Sequence, residues 1–226
     1  MKLRTFQTTE DLIFQCLETF RQIFPTLGKN DGIMLAGGRT PLEIYRRAAK
    51  DGLSTNGQLF LSDERYVPIT DPQSNYGTIL PMFGNLMRIQ TELPIEAAAQ
   101  AFHDDLSRLD RIPLGLLGLG ADGHTASLFN LQDAKPGSGL DFCVILKSQG
   151  LTPSSALAIP VKKAKKPDRI SVTPMLLHKV EKILILATGA DKKEMIQTLL
   201  EKPETIPAGV ALAGHPNVEI WTDQSM

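Results

Sequence analysis

The chain has 226 residues, 42% of them apolar and 22% charged, with a net charge of −1. Charge so close to balance gives no electrostatic case for nucleic acid or an anionic membrane as partner. No run approaches the roughly 18 apolar residues of a membrane span, and a chain this long can bury a core without disulfide or metal staples.

The opening stretch MKLRTFQTTEDL lacks the apolar core of a secretory signal. Cys16 and Cys143 lie outside any C-x-x-C or Cys/His cluster, which reads as two buried structural thiols rather than a metal or redox site. The expected location is the cytoplasm.

In chain order, 9–24 places Leu12, Ile13, Cys16, Leu17, Phe20, Ile23 and Phe24 on one helical face, with Thr8 or Thr9 as cap. GIMLA (32–36) is a short buried strand, followed by GGRT and a helix with Pro41 at its first position. QLFLSD (58–63) is a second strand and 94–109 a helix. IPLGLLGLG (112–120) is a strand running into a glycine loop. SALAIPV (155–161), KILILATG (182–189) and VEIWTD (218–223) are further strands, with a helix over 191–202. Apolar strands alternating with amphipathic helices predict one α/β domain over 1–226: a Rossmann-like, mostly parallel sheet with helices on both faces. Ligands of such sheets bind beyond the carboxyl ends of the strands.

The informative residues stand there. In AGGRTP, Gly37 and Gly38 let the backbone approach an anion, Thr40 is placed to cap the helix, and Arg39 adds a guanidinium fork. The loop lacks the G-K-[ST] of a nucleotide P-loop. SDERYVP puts Asp63, Glu64 and Arg65 at a strand end, where charge is costly unless solvated or paired. In SNYGTI, Ser74 or Asn75 reads as a helix cap. His103, His178 and His215 have no motif around them and read as structural or surface residues.

GLGADGHTASLF (118–129) supports two readings. Gly118, Gly120 and Gly123 spell G-x-G-x-x-G, but Asp122 inside that loop would repel a pyrophosphate, and a lone pattern of this kind is weak; Asp141 is the matching ribose acid. Alternatively His124 is a general base, oriented by Asp122. An imidazole with a pKa near 6.5 suits that work at neutral pH. Later, Arg169 in PDRISVT and Lys192 in ATGADKKE bring two more cations to strand ends, Lys192 at a helix start that disfavours a cation unless an anion is bound. The basic stretch VKKAKKPDR (161–169) reads otherwise as a solvated loop.

GGRTP, SDERYVP, SNYGTI, GLGADGHTASLF, P-x-R-I-S-V-T and the late G-x-x-K occur here in the order found in 6-phosphogluconolactonases, and the sequence resembles that family from about Ala36 to Lys193. The resemblance implies a sugar-phosphate isomerase/deaminase-like fold. It implies hydrolysis of 6-phospho-D-glucono-1,5-lactone to 6-phosphogluconate in the oxidative pentose phosphate pathway, with no cofactor and with His124 as catalytic base. Asp122 would orient His124. Gly37, Gly38, Arg39, Thr40, Arg169 and Lys192 would hold phosphate, Arg65 would meet substrate or developing charge, and Asp63 would bind sugar hydroxyls. No metal is expected, and nothing demands more than a monomer. Two positions depart from the family: Arg39 replaces the serine of SGGSTP, and Asn130 follows SLF where proline is usual.

Three rivals remain. Deaminases on this fold resemble DGHIAFNEP at the third loop, with a glutamate five residues after the histidine; here that position is Phe129. A non-catalytic sugar-phosphate sensor would keep the phosphate loops and lose the base. A nucleotide-binding oxidoreductase would need the glycine loop bare.

Overall fold

Short apolar runs, buried on both faces, build the centre of the molecule. The computed structural model describes residues 1–129, 156–162 and 164–225. Its elements are β1 (Lys2–Thr5), α1 (Thr9–Ile23), β2 (Asp31–Leu35), α2 (Arg39–Lys50), β3 (Gln58–Leu61), β4 (Asp63–Arg65), α3 (Asn75–Ile79), α4 (Ile95–Leu106) and β5 (Arg111–Gly118). They continue with β6 (Ala158–Val161), β7 (Arg169–Val172), α5 (Pro174–Leu177), β8 (Ile183–Leu186), α6 (Lys193–Glu201), α7 (Pro207–Ala211) and β9 (Val218–Thr222). Cys143, Asp141 and Asn130 lie outside the described residues, as do Ser155, the first residue of SALAIPV, and Lys163, within VKKAKKPDR.

The main sheet has the order β1-β9-β8-β5-β2-β3, and every pairing in it is parallel. β2 and β8 are buried at each position, so they read as continuous apolar runs rather than alternating ones. Crossovers from β1 to β2 and from β2 to β3 step one way along the sheet; those from β3 to β5, β5 to β8 and β8 to β9 step the other way. Right-handed crossovers therefore put α1 and α2 on one face and α4 and α6 on the other. α1 and α2 do pack together. The direction reverses between β2 and β5, and a crevice opens at the carboxyl ends of that pair.

Two expectations are corrected here, and one strand is added. Residues 158–161 form a strand but not one of the parallel sheet: β6 pairs antiparallel with β7, and β7 with β4, in a separate three-stranded sheet. The run QLFLSD breaks at Ser62, so Asp63 begins β4. The added strand is β1, whose four residues are all exposed, so its sequence carries no buried alternation.

Helix α1 follows its pattern: Leu12, Ile13, Cys16, Leu17 and Phe20 are buried, and Thr8 caps it in a box with Asp11. Such a cap is worth about 1 kcal/mol. Burial pushes the Cys16 thiol up to about 12, which leaves it an inert core residue. Phe20 and Phe24 stack at 4.7 Å, and Tyr45 of α2 meets Phe83 at 5.8 Å. This aromatic group lies beneath the loop that follows β2.

Candidate active site

The first wall of the crevice comes from that loop. Tyr45 is fully buried, and its hydroxyl donates to the Ala36 carbonyl at 3.0 Å while accepting from the Ala36 amide at 3.0 Å. The core thus clamps the first residue of AGGRTP. Gly38 then turns with φ 106°, a conformation closed to most side chains, and it is the N-cap of α2. Thr40 was expected at the cap; the turn comes two residues earlier because glycine can make it, and Arg39 is the first helical residue. First-turn amides have no partner within a helix, so Arg39 and Thr40 leave theirs to a ligand or solvent. Thr40 Oγ1 lies 2.6 Å from Thr188 Oγ1, tying this loop to the one after β8.

The loop after β8 is braced in turn. Asp223, just beyond β9, accepts from the Gly189 amide at 2.9 Å and from the Thr9 hydroxyl at 2.5 Å. Gly37, Gly38, Arg39, Thr40, Thr188, Gly189 and Lys192 line a cavity of about 610 Å³. Lys192 pairs with Asp191 at 3.2 Å, and Asp191 is largely exposed.

A smaller cavity of about 180 Å³ adjoins it, sharing Gly37, Gly38, Gly118 and Leu119. Asp63, Arg65, Asn75 and His124 line the rest, with Ala126. After β5 no helix begins before Phe129: the chain makes turns from Leu119 onward. A dinucleotide fingerprint needs a helix start at that point, and this loop has none. It brings side chains together instead. Asp122 Oδ1 bonds His124 Nδ1, and Asp122 Oδ2 accepts from Lys165 Nζ at 3.1 Å. A Cβ at Gly120 would fall on the imidazole and on the Asp122 carboxylate, so glycine makes room for the pair. Phe129 packs against the imidazole with ring centroids 4.5 Å apart.

The charge balance around Asp122 fixes the histidine tautomer. Partial burial pushes the Asp122 carboxyl up, but the His124 and Lys165 contacts outweigh it and hold the carboxyl at about 2. It is ionised at neutral pH and can only accept. In a neutral imidazole this contact places the His124 proton on Nδ1 and the lone pair on Nε2.

The strand Asp63–Arg65 divides its three charges. Glu64 is buried and turned away from the cavity, accepting from the amides of Asn75 at 2.8 Å, Tyr76 at 2.5 Å and Arg65 at 2.6 Å, and so it holds the start of α3. Burial pushes its carboxyl up; those amides pull it back. Asp63 accepts from the Ser127 hydroxyl at 2.6 Å and from Ser62 at 3.2 Å, which docks β4 onto the His124 loop. Arg65 donates to the Gln73 carbonyl at 2.6 Å.

A family model described as glucosamine-6-phosphate isomerases/6-phosphogluconolactonase matches residues 8–221. The chain belongs to this enzyme family. It is 32% identical over 186 residues to the 6-phosphogluconolactonase of Thermotoga maritima, covering 78% of this chain and 77% of the relative. A crystal structure of a 6-phosphogluconolactonase from T. maritima superposes with a TM-score of 0.74 at 26% identity, over 97% of this chain and 96% of that one. A monomeric glucosamine-6-phosphate deaminase gives the same TM-score at 21% identity, over 99% and 98% of the two chains. Fold likeness therefore does not separate lactonase from deaminase, and the site has to.

Nine of the ten residues singled out in this family member meet around the two cavities: Gly37, Gly38, Arg39, Thr40 and Lys192 on the larger, Asp63, Arg65 and His124 on the smaller, and Asp122 behind His124. Arg169 lines neither cavity. It is Arg65's partner across β4 and β7, and its guanidinium donates to the carbonyls of Pro167 and Asp168. Burial and the neighbouring Arg65 charge both lower its pKa. Asn75, Tyr45, Asp223 and Lys165 also shape the site. Ser74 is the cap of α3, as expected, while Asn75 lines the cavity and donates to the Asp63 carbonyl at 3.1 Å. Nothing in SNYGTI marks which of the two faces a ligand. Tyr45 sits at a helical core position and Asp223 past a strand end, and neither belongs to a motif.

Proposed function

We propose that this chain is a 6-phosphogluconolactonase, hydrolysing 6-phospho-D-glucono-1,5-lactone to 6-phospho-D-gluconate. The observation that carries the reading is His124: its Nδ1 is committed to an ionised Asp122, its Nε2 is left as a base, and the ring lines a cavity continuous with the loop after β2. The phosphate binds among Gly37, Gly38, Arg39, Thr40 and Lys192, where helix start and cations favour an anion. Binding energy at that end positions C1 of the lactone near His124. A water gives its proton to His124 Nε2 and attacks C1. Charge then develops on the former carbonyl oxygen, which Arg65 stabilises, with Arg169 adding to the local positive potential. Collapse breaks the bond from C1 to the ring oxygen, and His124 returns the proton to that oxygen. Asp122 keeps the imidazole oriented throughout. Asp63, anchored by Ser127, accepts from sugar hydroxyls with its remaining lone pairs. The reaction needs no covalent nucleophile, metal or cofactor.

The product supplies the oxidative pentose phosphate pathway, and a monomeric cytoplasmic enzyme with a small-molecule substrate suffices for that role. Among the described residues no helix is long and apolar enough to cross a membrane. The deaminase alternative meets Phe129, an apolar ring on the face of His124, at the position where that chemistry places a carboxylate.

The test is formation of 6-phosphogluconate above the spontaneous rate from lactone generated in situ. We expect acceleration by the wild type and a loss of about 10²- to 10⁴-fold in kcat for a folded His124→Ala variant. Ammonia release from glucosamine 6-phosphate, or tight binding of 6-phosphogluconate without turnover, would replace the reading by the deaminase or the sensor.

A further inference from the structure

The hairpin joining β6 to β7 carries one lysine onto the active-site loop. Lys165 Nζ lies 3.1 Å from Asp122 Oδ2, on the carboxylate oxygen that His124 does not use. The same ammonium sits 4.7 Å from the centre of the Phe129 ring, and Phe129 packs on His124. One side chain therefore meets the two residues that border the imidazole: Lys165 touches both Asp122 and Phe129, and each of these touches His124. The side chains of Lys165 and Asp122 are about half exposed, at 46% and 51%. An ion pair so exposed adds little to overall stability. Its consequence is local.

The geometry points to Lys165 as a positioning residue: its ammonium locks the Asp122 carboxylate, and through it the imidazole of His124, in the orientation that leaves Nε2 facing the cavity, and its charge tempers how strongly the pair holds a proton. Asp122 alone draws a proton toward His124. A cation on its second oxygen offsets part of that pull, so the base releases the proton to the leaving oxygen more readily. Among the described residues, the other charges near His124 are Asp63 and Arg65 of β4, which share its cavity, and Arg169, beside Arg65 on β7. Lys165 acts instead through Asp122. The inference rests on His124 being the catalytic base, but its test does not need the lactonase reading to hold.

The experiment uses two variants of the full chain, Lys165→Met and Lys165→Arg. Methionine keeps the stem against Phe129 and removes the charge; arginine keeps the charge. The His124 ring is followed by NMR through a pH titration, its signal assigned from its absence in His124→Gln. We expect the midpoint in Lys165→Met to rise by about half a pH unit, to rise less in high salt, and to return in Lys165→Arg. The acid limb of kcat/KM should move by the same amount, with kcat falling severalfold and KM nearly unchanged. Signals of the other three histidines, unmoved, show that the fold is intact. An unmoved His124 midpoint in folded Lys165→Met overturns the inference, as does a rise confined to KM, which would make Lys165 a substrate contact. A shifted midpoint in a wild type with no lactonase activity would uphold the inference and remove the lactonase reading.

Discussion

The loops after β2 and β5 are both rich in glycine, and both leave the parallel sheet at its carboxyl end, yet a helix starts at once after the first and none follows the second before Phe129. After β2, Gly37 makes room for the Asn75 side chain, while Gly38 makes the turn, α2 starts at once, and the amides of its first turn have no helical partner. After β5 the glycines clear space for the protein's own side chains. Gly120 lies where any Cβ would strike the His124–Asp122 pair, and no helix follows before Phe129. A spacing of glycines therefore states where backbone or side chains come close, not what comes close to them.

The sharpest way to break that comparison is Gly120→Ala. The added methyl has no strained φ to contend with, since Gly120 is not among the positive-φ positions. Its effect should be confined to displacing the imidazole and carboxylate. We expect kcat to fall about 10²-fold, as for a misplaced catalytic group, while 6-phosphogluconate still binds by titration calorimetry. If product binding disappeared with kcat, the two loops would not serve separate ends of the substrate. The complementary change is Lys192→Ala in the larger cavity. Loss of a charge-assisted contact to phosphate should raise KM about 10- to 100-fold and leave the pH profile of kcat in place. A large fall in kcat at saturating substrate would contradict the division.

How far the sequence reveals these loops depends on the range of the interactions. Strands β2, β5 and β8 are legible because burial on both faces leaves continuous apolar runs, and α1 because its stripe is clean and its cap local. The three-stranded sheet was hidden: β4 is three residues of charge, and β6 has the same apolar look as a strand of the main sheet. Pairing direction is not written in a strand's composition. At the site, His124, Asp122, Arg39 and Lys192 carry their chemistry in their side chains and stand in quotable motifs. Lys165 stands in a basic stretch that reads as solvated, and only the fold brings it across 43 positions to Asp122. Arg169 shows the converse, a motif residue that pairs with Arg65 across two strands and lines neither cavity.

Tyr45 offers the smallest and most selective change. Its hydroxyl makes both of its bonds to Ala36, and ordinary burial pushes that phenol well up, so it stays neutral and can donate and accept at once. Phenylalanine fills the same core volume beside Phe83 and removes only the oxygen. The Ala36 amide and carbonyl, buried with it, would then lack that partner, at a cost of about 1–3 kcal/mol by thermal or urea unfolding. If the clamp matters to function, the released Ala36 should let the Gly37–Thr40 loop relax, and KM should rise a fewfold while kcat and its pH dependence stay as in the wild type. The Asp122–His124 pair, which follows β5 and is braced by Lys165 between β6 and β7, should not notice. A stability loss with KM unchanged would mean that the loop after β2 keeps its shape through Gly38 and the Thr40–Thr188 contact alone. A fall in kcat would mean that the two loops are mechanically joined, through the glycines they share at the boundary of the two cavities.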